Sequence, residues 1–591
     1  MMIAASGTTN LNSGMPEVTA SKPTSLRTMR STPIRTEWQC HPKRKILMSR
    51  LRNLLNALAP LLVVGGVVVL VASAARSPIA DKSPRSLTAF DAADDSIVCR
   101  VDRLIAARWR EAGIEPASRA DDLTILRRLT LVLHGTAPSL EELRLFESDR
   151  DSDRIERWTE RILADRRYAD YFARRLSRVF VGADQGQFVV FRRDRFWTWL
   201  GDQLHSDRPY DTLVRDMISG RGLWTDRPQV NFVAAAVTDN VIDHNKLAGR
   251  TARAFLGQRI DCAQCHNHPF ADWKQTQFSG LAACFDRVSI SLVGIEDNKK
   301  DLDTTADRMT QGDVTVTPAV PYHPEWMPEQ GTTRQRLAAW VTHSDNRRFD
   351  RAIVNRVWGL MFGRPWIDPV DDIPNPHEST VDTNDLLDVL ATDFQTHGRS
   401  LKRLITKIAA MRVFRMSSQH PAFEQGHRVD DVERVWAAFP VTRLRPEQVI
   451  GSMLQASSIK TLDQNSHWTK RAVRFFKELD FVKAYGDLGE DELTERTGTI
   501  AQALLRMNSE FSSEWTKGTL FSAAGRISGI ATDDDACLDL CFLVCLTRHP
   551  TDEERSLLRK QLEGARGDQR TKIVEDLFWS LFNSPEFSWE Y

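Results

Sequence analysis

Apolar residues recur at helical spacing through most of the chain beyond residue 96. Asp102 to Trp109 places Leu104, Ile105 and Trp109 on one side of a helix, and Leu123 to Leu133 repeats the pattern. Ser139 follows Pro138 and precedes an apolar run, with Glu142 three positions on, which predicts a helix opened by a capping box. Residues 154–181 form a further amphipathic stretch carrying Trp158, Ile162, Leu163, Tyr168 and Phe172. The pattern changes over residues 289–330. Asp313 to Pro318 alternates like a short strand, and Pro321, Pro324 and Pro328 follow. Helical spacing returns from Thr333 to Tyr591, punctuated at Gly363, Pro374 and Gly398. The expected fold is mostly α: two helical domains, 96–288 and 331–591, joined by a Pro-rich, partly extended connection over 289–330.

The first 95 residues read differently. Residues 1–47 are polar, basic and rich in Ser, Thr and Pro, as in a disordered or mis-called N-terminal extension. Met48 offers a second start. Arg50 and Arg52 precede an apolar run from Leu54 to Ala75, and Ala72 to Ala74 fits the small-x-small rule for signal peptidase. Residues 48–75 are therefore expected to be a signal peptide. The run spans about 20 residues, which also suits an uncleaved membrane anchor. Both readings export the rest of the chain, to the periplasm or cell envelope, because the basic residues precede the apolar run. Residues 76–95, with Pro78 and Pro84, are expected to be a linker.

Composition narrows the function classes. Lys+Arg and Asp+Glu both count 79, so there is no basic excess of the kind nucleic-acid binding draws on. Eight cysteines in 591 residues are too few for a disulfide scaffold.

The most specific chemistry lies in Cys262-Ala263-Gln264-Cys265-His266. Two cysteines three residues apart can form thioethers to one haem, with the adjacent histidine held near the iron. Haem c is attached outside the cytoplasm, so motif and export segment agree. His244 is a weak candidate for the second axial ligand. Three other readings stand beside this one: a zinc site using Cys262, Cys265 and His266 or His268, which lacks an evident fourth ligand; a Cys262–Cys265 disulfide; and a turn with inert thiols. If no haem is attached, the chain reads as an envelope scaffold or binding protein, or as an enzyme acting on extracellular polymers.

Other candidates have plainer readings. Arg356 lies mid-helix, with Asp368, Asp371 and Asp372 beyond a Gly363-Arg364-Pro365 turn. The carboxylates could bind a cation or share acid–base work, but an Arg356 pair with Asp371 or Asp372 that fixes a turn is the stronger expectation. Cys537, Cys541 and Cys545 recur every fourth residue, as core packing on one helix face requires. Trp273 could shield a haem edge or simply join the core.

Several stretches together resemble a known family. They are Leu126 to Pro138, Leu163 to Tyr168 and Phe255 to Phe270 in the first half. In the second half they are Ile353 to Trp358, Asp368 to Asp372, Gln502 to Leu504 and Asn583 to Phe587. The chain is similar, over about 95–591, to exported two-part proteins abundant in planctomycetes and related bacteria. In these a planctomycete cytochrome-type domain is followed by a planctomycete-specific domain, and neither has a defined function. The resemblance implies an exported protein and a cytochrome label resting on the motif itself. A redox partner protein or a cell-envelope component is a separate expectation. The family's Ser-His-Pro-Glu run before Leu-Leu-Asp is not kept: here Glu378 to Asp385 precedes Leu386, and His377 sits several residues early.

Overall fold

The helical spacing of the sequence becomes a mostly α fold in the computed structural model, which describes residues 95–182, 191–238, 241–297, 316–374, 385–424, 428–458, 460–466, 468–486, 493, 498–508, 510–519 and 521–591. The expected export segment and most of the expected 76–95 linker lie outside these residues, as do His377 and the first part of the Asp313–Pro318 run. Among the described residues no helix is long and apolar enough to cross a membrane. Among the described residues strands occur only in two-stranded antiparallel pairs, such as the hairpin Val288–Ser291 with Gly294–Asp297.

Local signals set the helix ends. Helix Asp122–His134 starts on Asp121, whose side chain accepts from the Thr124 N–H, and ends at Gly135 in the left-handed region. The predicted capping box at Ser139 and Glu142 opens helix Leu140–Ser148. The amphipathic stretch 154–181 is two helices, Arg154–Ala164 and Arg166–Val181. Asp165 divides them because its carboxylate caps the second one through Arg167 N–H.

The described residues fall within one compact unit. A single hydrophobic core contains Ile97, Phe172 and Phe255 from the first half and Leu337, Trp358 and Phe414 from the second. A second cluster joins Leu131 to Val449, Cys541 and Phe578. The physical reason is that the helices of each half are apolar on faces that only the other half covers. Helix Arg347–Phe362 is buried from Phe349 onward and runs through this shared core.

Buried arginines stitch the halves together. Arg128 donates to Phe414 O at 3.0 Å, Met416 O at 2.7 Å and Tyr591 O at 2.7 Å, and its guanidinium lies 3.6 Å above the Phe439 ring centroid. Arg334, from the second half, donates to Ile218 O at 2.9 Å and Gly220 O at 2.8 Å in the first.

Candidate functional site

Helix His244–Thr251 is capped by Asp243 and runs into a wider turn over Ala252–Leu256. Its buried side carries Phe255, whose ring packs 5.5 Å from Phe180 and 5.6 Å from Phe232. The helix does not continue into the cysteine motif. Gly257 ends it at φ +63°, and a β-carbon there would stand 2.8 Å from Ile373 Cδ1. From this point the chain is fastened to the second half. Ile373 N–H donates to Gly257 O at 2.9 Å, Gln258 Nε2 to Ile373 O at 2.5 Å, and Arg259 Nε to Asp371 Oδ1 at 2.7 Å.

The motif follows as a single tight turn, Asp261–Gln264, pinned by buried Ala263. Cys262 and Cys265 flank that alanine, and both are exposed free thiols. The disulfide reading thus finds no bond in the structure. His266 is also exposed, with Nδ1 2.7 Å from Asn267 O. A carbonyl only accepts, so the ring proton sits on Nδ1 and Nε2 keeps its lone pair. That is the arrangement a metal-binding imidazole needs, with the far nitrogen oriented by a carbonyl. Asn267 is itself fixed, its Oδ1 accepting from Gln275 N–H at 3.0 Å.

His268 plays a different part from the one expected of a metal ligand. Its Nδ1 accepts from Phe270 N–H at 3.2 Å and Ala271 N–H at 3.0 Å, and the backbone N–H of His268 donates to Trp273 O at 2.8 Å. The ring proton is then on Nε2, and neither nitrogen of the neutral ring is free to bind a metal. His268 builds the loop. Among the described residues no three His, Cys, Asp or Glu side chains gather as a metal-holding group. His244 faces Asp286 at 3.7 Å. Trp273 is half-buried against the core, whereas Phe270 is 94% exposed beside the motif.

The acidic candidates do not converge. Asp368 and Asp372 are exposed, and Asp371 is buried against Arg259. The expected pairing of Asp371 with Arg356 is replaced by this link to the first half. Arg356 is buried on the central helix. Its neighbour Asn355 holds the turn instead, donating to Ile367 O at 2.8 Å and accepting from Ile367 N–H at 2.9 Å. Cys537, Cys541 and Cys545 are all buried on helix Asp534–Leu546, and burial pushes the Cys545 thiol well up.

One site escaped the sequence reading. A cleft of about 860 Å³ opens between helices Leu140–Ser148 and Arg154–Ala164, Ser458 and the stretch 460–466. His134 lines it and is only 4% exposed. Its Nε2 donates to Ile162 O at 3.1 Å. Burial, helped by the Arg167 guanidinium, pushes the ring down to about 4, so it is neutral near pH 7. Arg167 in turn binds Glu142 at 2.5 Å and Asp165 at 2.8 Å. In sequence, His134 is one polar residue ending an apolar helix, which gives no hint of a cleft.

No curated protein and no solved structure matches the chain. Two family models do, in the order the motifs suggested. Residues 100–290 match PSCyt2, described as a protein of unknown function (DUF1549), and residues 333–562 match PSD1, described as a protein of unknown function (DUF1553).

Proposed function

We propose that this chain is an exported haem c-binding protein with an electron-transfer role. Cys262 and Cys265 would carry the two thioethers, and His266 would be an axial ligand through Nε2. The observation that carries this reading is the state of the motif. Two free, exposed thiols lie on one turn, next to a histidine whose Nδ1 is engaged and whose Nε2 is not. The bound group would supply one-electron redox chemistry.

The remaining work falls to the protein. The Arg259–Asp371 pair and the Gln258–Ile373 bond hold the turn against the buried central helix region, which limits how far the ligands can move. Phe270, exposed beside the motif, offers apolar surface that a macrocycle would cover. An exposed group suits exchange of electrons with a redox partner protein in the envelope. The apolar run after Met48 supports delivery to that compartment, as a cleaved signal or an anchor.

The test is to export the full chain in a host expressing the cytochrome c maturation machinery. Purified protein is then read for a Soret band and by pyridine haemochrome assay. Covalent haem that survives denaturation is the expected result. Colourless, fully exported protein under those conditions overturns the reading.

A further inference from the structure

Two groups in the cleft around His134 lack any protein partner. His134 Nδ1 and Arg167 Nη1 are both buried polar atoms without a hydrogen bond. One is an acceptor, because the His134 proton is committed to Ile162 O through Nε2. The other is a guanidinium donor, whose sister nitrogen is engaged by Glu142 and Asp165. Buried polar atoms left unpaired are costly, and they concentrate where a ligand completes them. A hydroxyl group answers both at once, since it accepts from Arg167 and donates to His134.

The mouth of the cleft has a different character. Arg144, Arg161 and Lys460 line it, and all three are exposed. Among the described residues none of them has a carboxylate partner. Arg161 lies over the Trp158 ring at 4.8 Å from its centroid. Two acids line the mouth as well: Glu141 accepts from Thr461 N–H and Oγ1, each at 3.2 Å, and Asp463 accepts from Asn465 N–H at 3.0 Å. Three cations against these two carboxylates leave the rim with one positive charge in excess, which favours an anion there. A second cleft of about 340 Å³ shares His134, Arg167, Leu462, Asp463 and Ser466 with the first, so both residues line both spaces. The volume lies in the range of small-molecule sites.

We infer that this cleft binds a hydroxylated organic anion, of sugar-acid or sugar-phosphate type, with a hydroxyl on His134 and Arg167 and the anionic group at Arg144, Arg161 and Lys460. The site is independent of the haem reading. It is built from both halves of the chain, since His134 and Arg167 come from the first and Ser458 and residues 460–466 from the second.

Isothermal titration of the full exported chain tests it, with glucuronate and glucose 6-phosphate as probes and glucose and inorganic phosphate as controls. Saturable binding of one of the two anionic sugars is expected, at least about tenfold tighter than either control. The probe that binds distinguishes a carboxylate from a phosphate. The double variant Arg144→Ala/Lys460→Ala should weaken it by about tenfold or more with an unchanged melting curve, because both side chains are exposed. His134→Phe should abolish the advantage over inorganic phosphate. Binding of neither probe, or binding indifferent to the rim variant, overturns the proposal. So does inorganic phosphate binding as tightly as glucose 6-phosphate.

Discussion

Arg259 stands three positions before Cys262 and donates from Nε to Asp371 Oδ1 at 2.7 Å, tying the cysteine turn of the first half to the Asp368–Asp372 segment of the second. The two most distinctive sequence motifs of this protein are thus one structural neighbourhood. Arg259 is 47% exposed while Asp371 is 11% exposed at the side chain, so the pair is screened on one side. Arg259→Ala should therefore cost no more than about 1 kcal/mol. Its local effect should be larger. Hydrogen exchange of residues 257–270 should accelerate, while that of helix Asp534–Leu546 stays unchanged. Equal protection of the loop in both proteins would show that the pair does not anchor it.

The two histidines of the motif should separate cleanly. Cys262→Ser or Cys265→Ser should each leave a single thioether, and the double variant none, read by haem stain after denaturing electrophoresis. His266→Ala should keep haem attached but change its absorption spectrum. His268→Ala should leave attachment and spectrum intact and lower stability by about 1 kcal/mol, through the backbone N–H groups of Phe270 and Ala271 it leaves unpaired. Loss of iron ligation in His268→Ala would reverse the assignment of the two roles.

His134 sets an acid limit. Burial, then Arg167, holds it at about 4, against an ordinary value of 6.5, with Asp165 and Glu142 opposing the shift. Between these values the unfolded chain takes up a proton that the folded chain refuses. Its contribution to stability is complete above pH 6.5 and is lost as pH falls toward 4. Urea midpoints measured from pH 7 to pH 4.5 should fall less steeply in His134→Gln than in the parent. Parallel curves would exclude His134 as a source of acid sensitivity.

Glu590 acts in the opposite sense. Burial raises its carboxyl to about 7, against the pull of Arg128, Arg175 and Arg127. The folded chain binds the extra proton between 4.5 and 7, so stability falls as pH rises through that window and the penalty is full above it. Glu590→Gln should raise stability at pH 8, on the order of 2 kcal/mol, and have little effect at pH 4.5. Thermal melts at the two pH values check this, and equal shifts at both would remove the carboxyl as the cause.

Much of this protein is legible without coordinates. Helix Asp122–His134, the capping box at Ser139 and Glu142, the cysteine ladder of helix Asp534–Leu546 and the Cys262–His266 motif all follow from spacings of three or four residues. Such spacings are local, and a helix turn or cap is decided by neighbours in sequence. Only the tertiary structure decided that the two halves share a core, that Asp371 pairs with Arg259 and not with Arg356, and that His268 is spent on its own loop. It alone placed His134 and Arg167 in a cleft closed by Ser458 and residues 460–466. These relationships join positions more than a hundred residues apart, or depend on which of two ring nitrogens meets a donor. Periodicity carries no information about either, because it reports which face of an element is buried and not what buries it.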